Sequence, residues 1–365
     1  MPTEPPTEPP AAALDPALVE LDVLGAWMDR QGLPAGPVTE PKVLAGGTQN
    51  VLVRFARGGR EYVLRRPPPH LRPASNEVLR REARVLAALE GSDVPHPGFI
   101  AGEPDESVMG GAVFYLMEPV DGFNATVALP ALHAGDPAVR HEMGLHAADA
   151  IARLGAVDHV AVGLADFGKP DGFLERQVGR WMGELDSYAR FEGYPGPDIP
   201  GLAATATWLD ANRPETYRPG ILHGDYHLAN VMFANDGPRL AAIVDWEMCT
   251  IGDPLLDLGW LLATWPQDPS GAEGGFAIAG PLGAAGGLPS PAELVARYGE
   301  RSTRDLSAID WYTVLACFKL GIVLEGTHAR AFAGKAPVAI GDLLHATTIG
   351  LFERATHLIA TSPGG

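Results

Sequence analysis

The spacing of apolar positions changes character several times along the chain. From Pro16 to Gln31, Leu18, Leu21, Leu24, Trp27 and Met28 recur near helical spacing, which predicts an amphipathic helix. Beyond it the apolar runs shorten and glycine interrupts them. Lys42–Ala45, Val51–Ala56 and Glu61–Arg65 read as strands, the last two joined at the Gly58-Gly59 turn. Ala74–Glu90 returns to helical spacing with Val78, Val85, Leu86 and Leu89 inward, and Val113–Met117 is one more strand. One helix among several strands predicts a small α+β lobe over 16–117.

After a connector at 118–122 the pattern turns mostly helical, with helices expected near 136–154, 171–191, 201–212, 290–301, 307–332 and 338–360. The exception is Ile221–Trp246, where the short apolar pieces Ile221-Leu222, Val231–Phe233 and Leu240–Val244 flank polar residues. Gly271–Gly287, rich in glycine and alanine, is expected to be a mobile surface loop. The chain thus divides into a polar tail (1–15), a first lobe (16–117), a connector, and a larger second lobe (123–365). The expected class is α+β, a small, mainly antiparallel β lobe with one key helix beside a mostly helical lobe.

Composition narrows the function classes. The chain has 365 residues, 46% of them hydrophobic, enough to build substantial cores. No apolar run reaches the ~18 residues that a membrane helix needs, and the start, MPTEPPTEPP, lacks the basic and apolar blocks of a secretion signal. Cys249 and Cys317 stand far apart and suggest neither a zinc site nor a disulfide framework. A cytoplasmic protein is expected. The net charge of −18 argues against nucleic acid or an anionic membrane as partner.

Candidate chemistry concentrates in Ile-Leu-His-Gly-Asp-Tyr-His-Leu-Ala-Asn, 221–230. Asp225 and Asn230 are five apart, and a third oxygen-bearing residue, Asp245, ends the apolar strand Leu240–Val244. Phosphoryl transfer needs a carboxylate at the nucleophile's proton, oxygen ligands for Mg²⁺ and positive charge against the phosphates. Asp225, the pair Asn230 and Asp245, and an arginine of the first lobe supply these in turn. Each acid alone is as well explained by capping a turn; the three together in this order are not. His223 and His227, four apart, fit a metal only on a helix, and this segment reads as a loop.

His223-Gly224-Asp225, Asn230, then Ile243-Val244-Asp245-Trp246-Glu247, then Gly252-Asp253-Pro254 and Asp257-Leu258 resemble the aminoglycoside phosphotransferase and choline-kinase-like branch of the protein-kinase fold. The resemblance implies a two-lobed kinase-like fold that uses ATP and Mg²⁺. By it, Asp225 matches the catalytic aspartate, Asn230 a metal ligand and Asp245 the metal-binding aspartate of the "DFG" element. Asp253 and Asp257 are expected to brace the loop, and Asp253 to cap a helix starting near Pro254.

In the first lobe, Gly46-Gly47-Thr48-Gln49-Asn50 lies where backbone N–H groups cradle phosphates. Arg65 takes the place of the usual strand lysine, Glu82 matches the helix glutamate that orients it, and alternation turns Arg66 to the opposite face. The early cluster Arg60, Arg65, Arg66, Arg72, Arg80, Arg81 and Arg84 provides local positive charge in an acidic chain. Glu118 and Val120 match the hinge whose backbone reads adenine, Pro119 having no N–H.

Val63–Pro68, Gly163–Gly168, Arg176-Gln177 and Trp181 look closer to the kinase-like region fused to acyl-CoA dehydrogenases. That subgroup implies transfer of the γ-phosphate to a hydroxyl of a small metabolite, a hydroxyacyl thioester among them. Arg176 and Trp181, expected on one helix, are candidates to face it, though ordinary helix surface and core explain them as well. The alternatives are an aminoglycoside-type antibiotic kinase and a non-catalytic nucleotide-binding pseudokinase.

Overall fold

The computed structural model describes residues 18–44, 50–68, 74–266 and 279–362, and its contacts divide the chain into two units: residues up to 121 apart from 93–95, and 93–95 with 122–365. The expected tail at 1–15 and the glycine segment Gly46–Gln49 lie outside the described residues, as does Arg72.

In the first unit, α1 (Leu21–Arg30) precedes β1 (Thr39–Val43), β2 (Val51–Arg57) and β3 (Arg60–Arg66); α2 (Ser75–Leu89), β4 (Phe99–Glu103) and β5 (Phe114–Met117) follow. The five strands are antiparallel in the order β1-β2-β3-β5-β4. The Gly58-Gly59 turn sets the register, so that Arg57 faces Arg60 and Leu52 faces Arg65. One face of the sheet packs Val53, Phe55, Tyr62, Leu64, Phe114 and Leu116 with Leu24, Trp27 and Met28 of α1. Each large side chain so buried contributes ~1.5–3 kcal/mol. The Trp27 indole satisfies its polar edge by donating to Glu103 at 2.9 Å.

Sequence reasoning placed β1 three residues late and missed β4 altogether. The β4 segment, FIAGE, is short, contains glycine, shifts register between Phe99 and Ala101, and is only half-buried throughout. Nothing in so brief a run carries a period-2 signal.

The second unit is mostly helical. α3 (Ala131–Gly135) and α4 (Pro137–Ala156) lead to α5 (Gln177–Asp186), a 3₁₀ turn at Ser187–Arg190, and α6 (Leu202–Ala211). Two small antiparallel ribbons follow: β6 (Gly220–Leu222) with β9 (Thr250–Gly252), and β7 (Val231–Phe233) with β8 (Leu240–Ile243). α7 (Leu255–Thr264), α8 (Gly280–Ala285), α9 (Pro291–Arg301), α10 (Ile309–Phe332) and α11 (Val338–Thr361) complete it. α10 is apolar nearly all round, as a central helix must be, and packs mainly on α7 and α11. Cys249 and Cys317 are buried free thiols.

Two expectations need correction here. Helix α5 starts at Gln177 and not at 171, because Gly172 takes a left-handed conformation (φ 61°) inside a series of turns. Within the expected loop 271–287, Gly280–Ala285 forms a helical turn with Leu282 buried; residues 271–278 lie outside the described residues. Among the described residues no helix is long and apolar enough to cross a membrane.

Candidate active site

The 223–230 loop is held at both ends by the small ribbons. β6 delivers His223, and β7 leaves from Asn230, whose carbonyl accepts from the Val244 amide at 2.9 Å. The sharp entry depends on Gly224, at φ 86°, where an added Cβ would lie 2.5 Å from the Met248 carbonyl oxygen. Beneath the loop, the buried carboxylate of Asp257 accepts from the His223 amide at 2.6 Å and the Gly224 amide at 2.8 Å. Burial pushes its pKa up to about 7 against those two bonds. Asp253, the other expected brace, accepts from the Leu255 amide (3.1 Å) at the start of α7 and from the Tyr312 hydroxyl (2.5 Å).

Asp225 emerges half-buried from this brace. The Asn230 side-chain amide donates to its carbonyl at 2.9 Å and to Oδ2 at 3.0 Å, while His227 Nε2 lies 3.3 Å from Oδ1. Burial opposes its ionisation, but the hydrogen bond and charge of His227, then His223 and Lys319, outweigh it and hold the pKa below the usual carboxylate range. Asp225 therefore stands as a carboxylate at any working pH. Such a group orients a hydroxyl and takes its proton late, as a loose transition state requires.

His223 is buried, which lowers its pKa, and its Nε2–H donates to the Val244 carbonyl at 3.0 Å. It stacks edge-on against Trp246, centroids 5.0 Å apart. The bond to Val244 ties the loop to the residue preceding Asp245. Asp245 itself is left-handed, φ 66° and ψ 66°; Glu40 is the other described non-glycine residue at positive φ. A half-exposed aspartate held left-handed at a strand end is a candidate functional position.

Asn230 commits its amide nitrogen to Asp225, so that its amide oxygen is the atom that could hold a metal. With the Asp245 carboxylate it offers one neutral and one anionic oxygen, a set that suits Mg²⁺, which keeps most positions for phosphate and water.

In the first unit, Arg65 and Glu82 are both buried and meet at 2.7 Å, and Tyr115 donates its hydroxyl to the other Glu82 oxygen at 3.3 Å. Arg66 is buried too, but its guanidinium bonds the Leu18 and Pro67 carbonyls, so alternation separates the two arginines as expected. The Glu118 amide is used by the Gly98 carbonyl (2.8 Å) and its carboxylate by Arg60 (2.6 Å). Val120 is half-buried just before the boundary of the unit, and Asn50 sits immediately ahead of β2.

Arg176 does not join the loop. Its guanidinium folds back onto the Lys169 carbonyl at 2.6 Å and onto the Asp171 carbonyl, on the exposed side. Sequence reasoning missed the cation that does approach. Lys319 of α10 donates to the Gly224 carbonyl at 2.8 Å and sits over the rings of Trp260 (4.2 Å) and Trp181 (5.4 Å). Burial lowers its pKa to about 8, Asp225 and Asp257 hold it up, and Arg180 lowers it further. A lone lysine in the apolar run LACFKLGIVL was the available signal.

Fold and loop together define a phosphotransferase of the protein-kinase-like class. The model of the Phosphotransferase enzyme family (APH) matches residues 40–294, and the chain belongs to that family. It is 30% identical over 298 residues to human acyl-CoA dehydrogenase family member 11, covering 79% of this chain and 36% of that protein. The chain thus spans about a third of the length of the curated relatives it matches. Among solved structures, a candidate aminoglycoside phosphotransferase from Ralstonia eutropha JMP134 is 29% identical, with a TM-score of 0.75 over 93% of this chain and 98% of that one. A thermostable aminoglycoside phosphotransferase mutant in ternary complex with ADP and hygromycin B shares the fold at 14% identity, with a TM-score of 0.54 over 91% and 97%.

Proposed function

We propose that this chain is an ATP-dependent, Mg²⁺-requiring kinase that phosphorylates a hydroxyl of a small neutral or anionic metabolite in the cytoplasm, a hydroxyacyl thioester being the leading acceptor. The observation that carries the reading is the Asp225 carboxylate, kept ionised and fixed by Asn230 and His227 at the end of a braced loop. In this reading Asp225 orients the acceptor hydroxyl and receives its proton as the phosphoryl group arrives. Asn230 and Asp245 hold the metal, which when bound offsets charge on the phosphates. In the first unit Arg65, oriented by Glu82, and the glycine segment Gly46–Asn50 are the groups that bind nucleotide phosphates. The Glu118 carbonyl and the Val120 amide read the base.

The choice of acceptor rests on the cations around Asp225. Lys319 lies beside Trp181 and Trp260, and Arg180 stacks on Trp181 at 5.1 Å. A cation lined by aromatic faces favours an anionic or acyl ligand over a polycation. The relatives named as acyl-CoA dehydrogenase family members point the same way.

A second reading, phosphorylation of an aminoglycoside, draws on the names of the structural relatives. ADP release measured across hydroxyacyl-CoAs, hydroxy acids, amino alcohols and aminoglycosides separates the two. Turnover of hydroxyacyl-CoAs is expected; turnover of kanamycin-type compounds alone would overturn the acceptor class, and nucleotide binding without turnover of any alcohol would leave a pseudokinase.

A further inference from the structure

A second group of chemistry-bearing side chains gathers where α10, α11 and the segment after Arg190 meet. Glu325, in α10, is completely buried. One carboxylate oxygen accepts from the Tyr194 hydroxyl at 2.7 Å and the other lies 2.7 Å from His345 Nδ1 of α11. His328, one turn on from Glu325, stacks on His345 with centroids 4.4 Å apart and planes 18° apart. Its Nδ1 is buried without a hydrogen-bond partner, 3.6 Å from the Asp342 carboxylate. One ligand atom from each of Glu325, His328 and His345 lies within 4.8 Å of the others.

We propose that Glu325, His328 and His345 form a binding site for a divalent transition-metal ion of the zinc class, which clamps α10 to α11. Two imidazoles and one carboxylate are the donor set such ions select, whereas Mg²⁺ prefers oxygen alone. Glutamate and histidine at i and i+3 share one face of α10, and the third ligand comes from the facing helix. Tyr194, bonded to the far carboxylate oxygen, orients that carboxylate from outside the ligand shell. A divalent charge also answers the cost of burying Glu325, which a single histidine meets at most in part.

Access is available, since His328 and His345 keep 13% and 22% of their side-chain surface while Glu325 keeps none. The partly exposed side leaves a position for water. Tetrahedral ligands at ~2.0–2.1 Å from an ion sit about 3.4 Å apart, so the 2.7 Å Glu325–His345 contact has to open while the wider spacings, which lie within 4.8 Å, close. The near-parallel rings cannot both point their lone pairs at one ion. His328 is the ring that turns, because its buried nitrogen gives up no hydrogen bond in doing so.

The test uses the full chain, stripped with chelator and returned to excess Mg²⁺. Titration with Zn²⁺ is followed by calorimetry, and titration with Co²⁺ by visible absorption. One saturable equivalent, with the intense d–d bands of a four-coordinate cobalt centre, is the expected result. Glu325→Gln, which keeps the shape and the Tyr194 contact, and His328→Ala should each weaken binding by more than the ~10–100-fold that loss of an outer-shell partner costs. Absence of a saturable equivalent in the unaltered protein overturns the proposal whatever the variants do. So does unchanged affinity in both variants, which would assign the ion elsewhere.

Discussion

Asn230 grips Asp225 twice, donating from one amide nitrogen to the backbone carbonyl at 2.9 Å and to the carboxylate at 3.0 Å. Both bonds survive in Asp225→Asn if the new amide turns its oxygen to Asn230, so that variant tests chemistry and not loop architecture. It cannot receive a proton. Turnover should fall by ~10²–10⁴-fold, the usual worth of a positioned base, with Mg-ATP affinity unchanged. Asp245→Asn should weaken Mg-ATP binding as well. Nucleotide titration and steady-state rates on the two variants make the comparison, and full turnover in the Asp225 variant would refute its role.

The Arg65–Glu82 pair is buried on both sides, so its removal acts on folding and on nucleotide in different proportions. Glu82→Ala strands a buried guanidinium and should cost ~3–5 kcal/mol of stability, read by denaturant unfolding. Arg65→Lys keeps charge but loses the fork, and should raise the KM for ATP while leaving kcat near normal. An ATP KM identical to the parent's in a folded Arg65→Lys protein would remove Arg65 from the phosphate site.

Gly224→Ala probes the loop entry. The φ of 86° and a Cβ 2.5 Å from the Met248 carbonyl oxygen combine a backbone penalty with a clash against backbone that cannot swing aside. The left-handed conformation alone costs roughly 1–2 kcal/mol. Because Asp225 follows directly, activity should fall further than stability, and parallel melting and rate measurements show whether it does.

How far the sequence could be read followed from how local each signal was. The alternation of β2 and β3, and the loop 223–230, are contiguous in sequence, and their residues lie where the pattern put them. Asp257 was legible as a brace only through the family resemblance, since the His223 and Gly224 amides it accepts from lie 34 and 33 positions away. Lys319 was not, since it lies 95 positions beyond the glycine it bonds and α10 is too apolar to show which face it presents. Arg176, at the N-cap of α5, spends its guanidinium on the nearby Lys169 and Asp171 carbonyls, contacts that no sequence spacing announces. Short strands such as β4 and β9 exist only through their partners.

Lys319 provides the pH dependence. Its ammonium faces Asp225 and Asp257, with Arg180 as the opposing charge and Trp181 and Trp260 as apolar walls. Burial brings its pKa from 10.5 down to about 8. Between those two values the folded protein binds fewer protons than the unfolded chain, so this group makes the fold more stable as pH rises through that window. Activity should move the other way. Once Lys319 loses its proton, the positive charge held beside Asp225 disappears, and any anionic acceptor loses its counter-charge. The rate at low acceptor concentration should therefore fall as pH rises through about 8, while the protein itself does not melt. Lys319→Arg stays charged and should carry that fall to much higher pH. Lys319→Met should be slow at every pH and lack the limb. A profile that keeps the same alkaline limb in Lys319→Met would assign the titration to another group and take Lys319 out of the acceptor site.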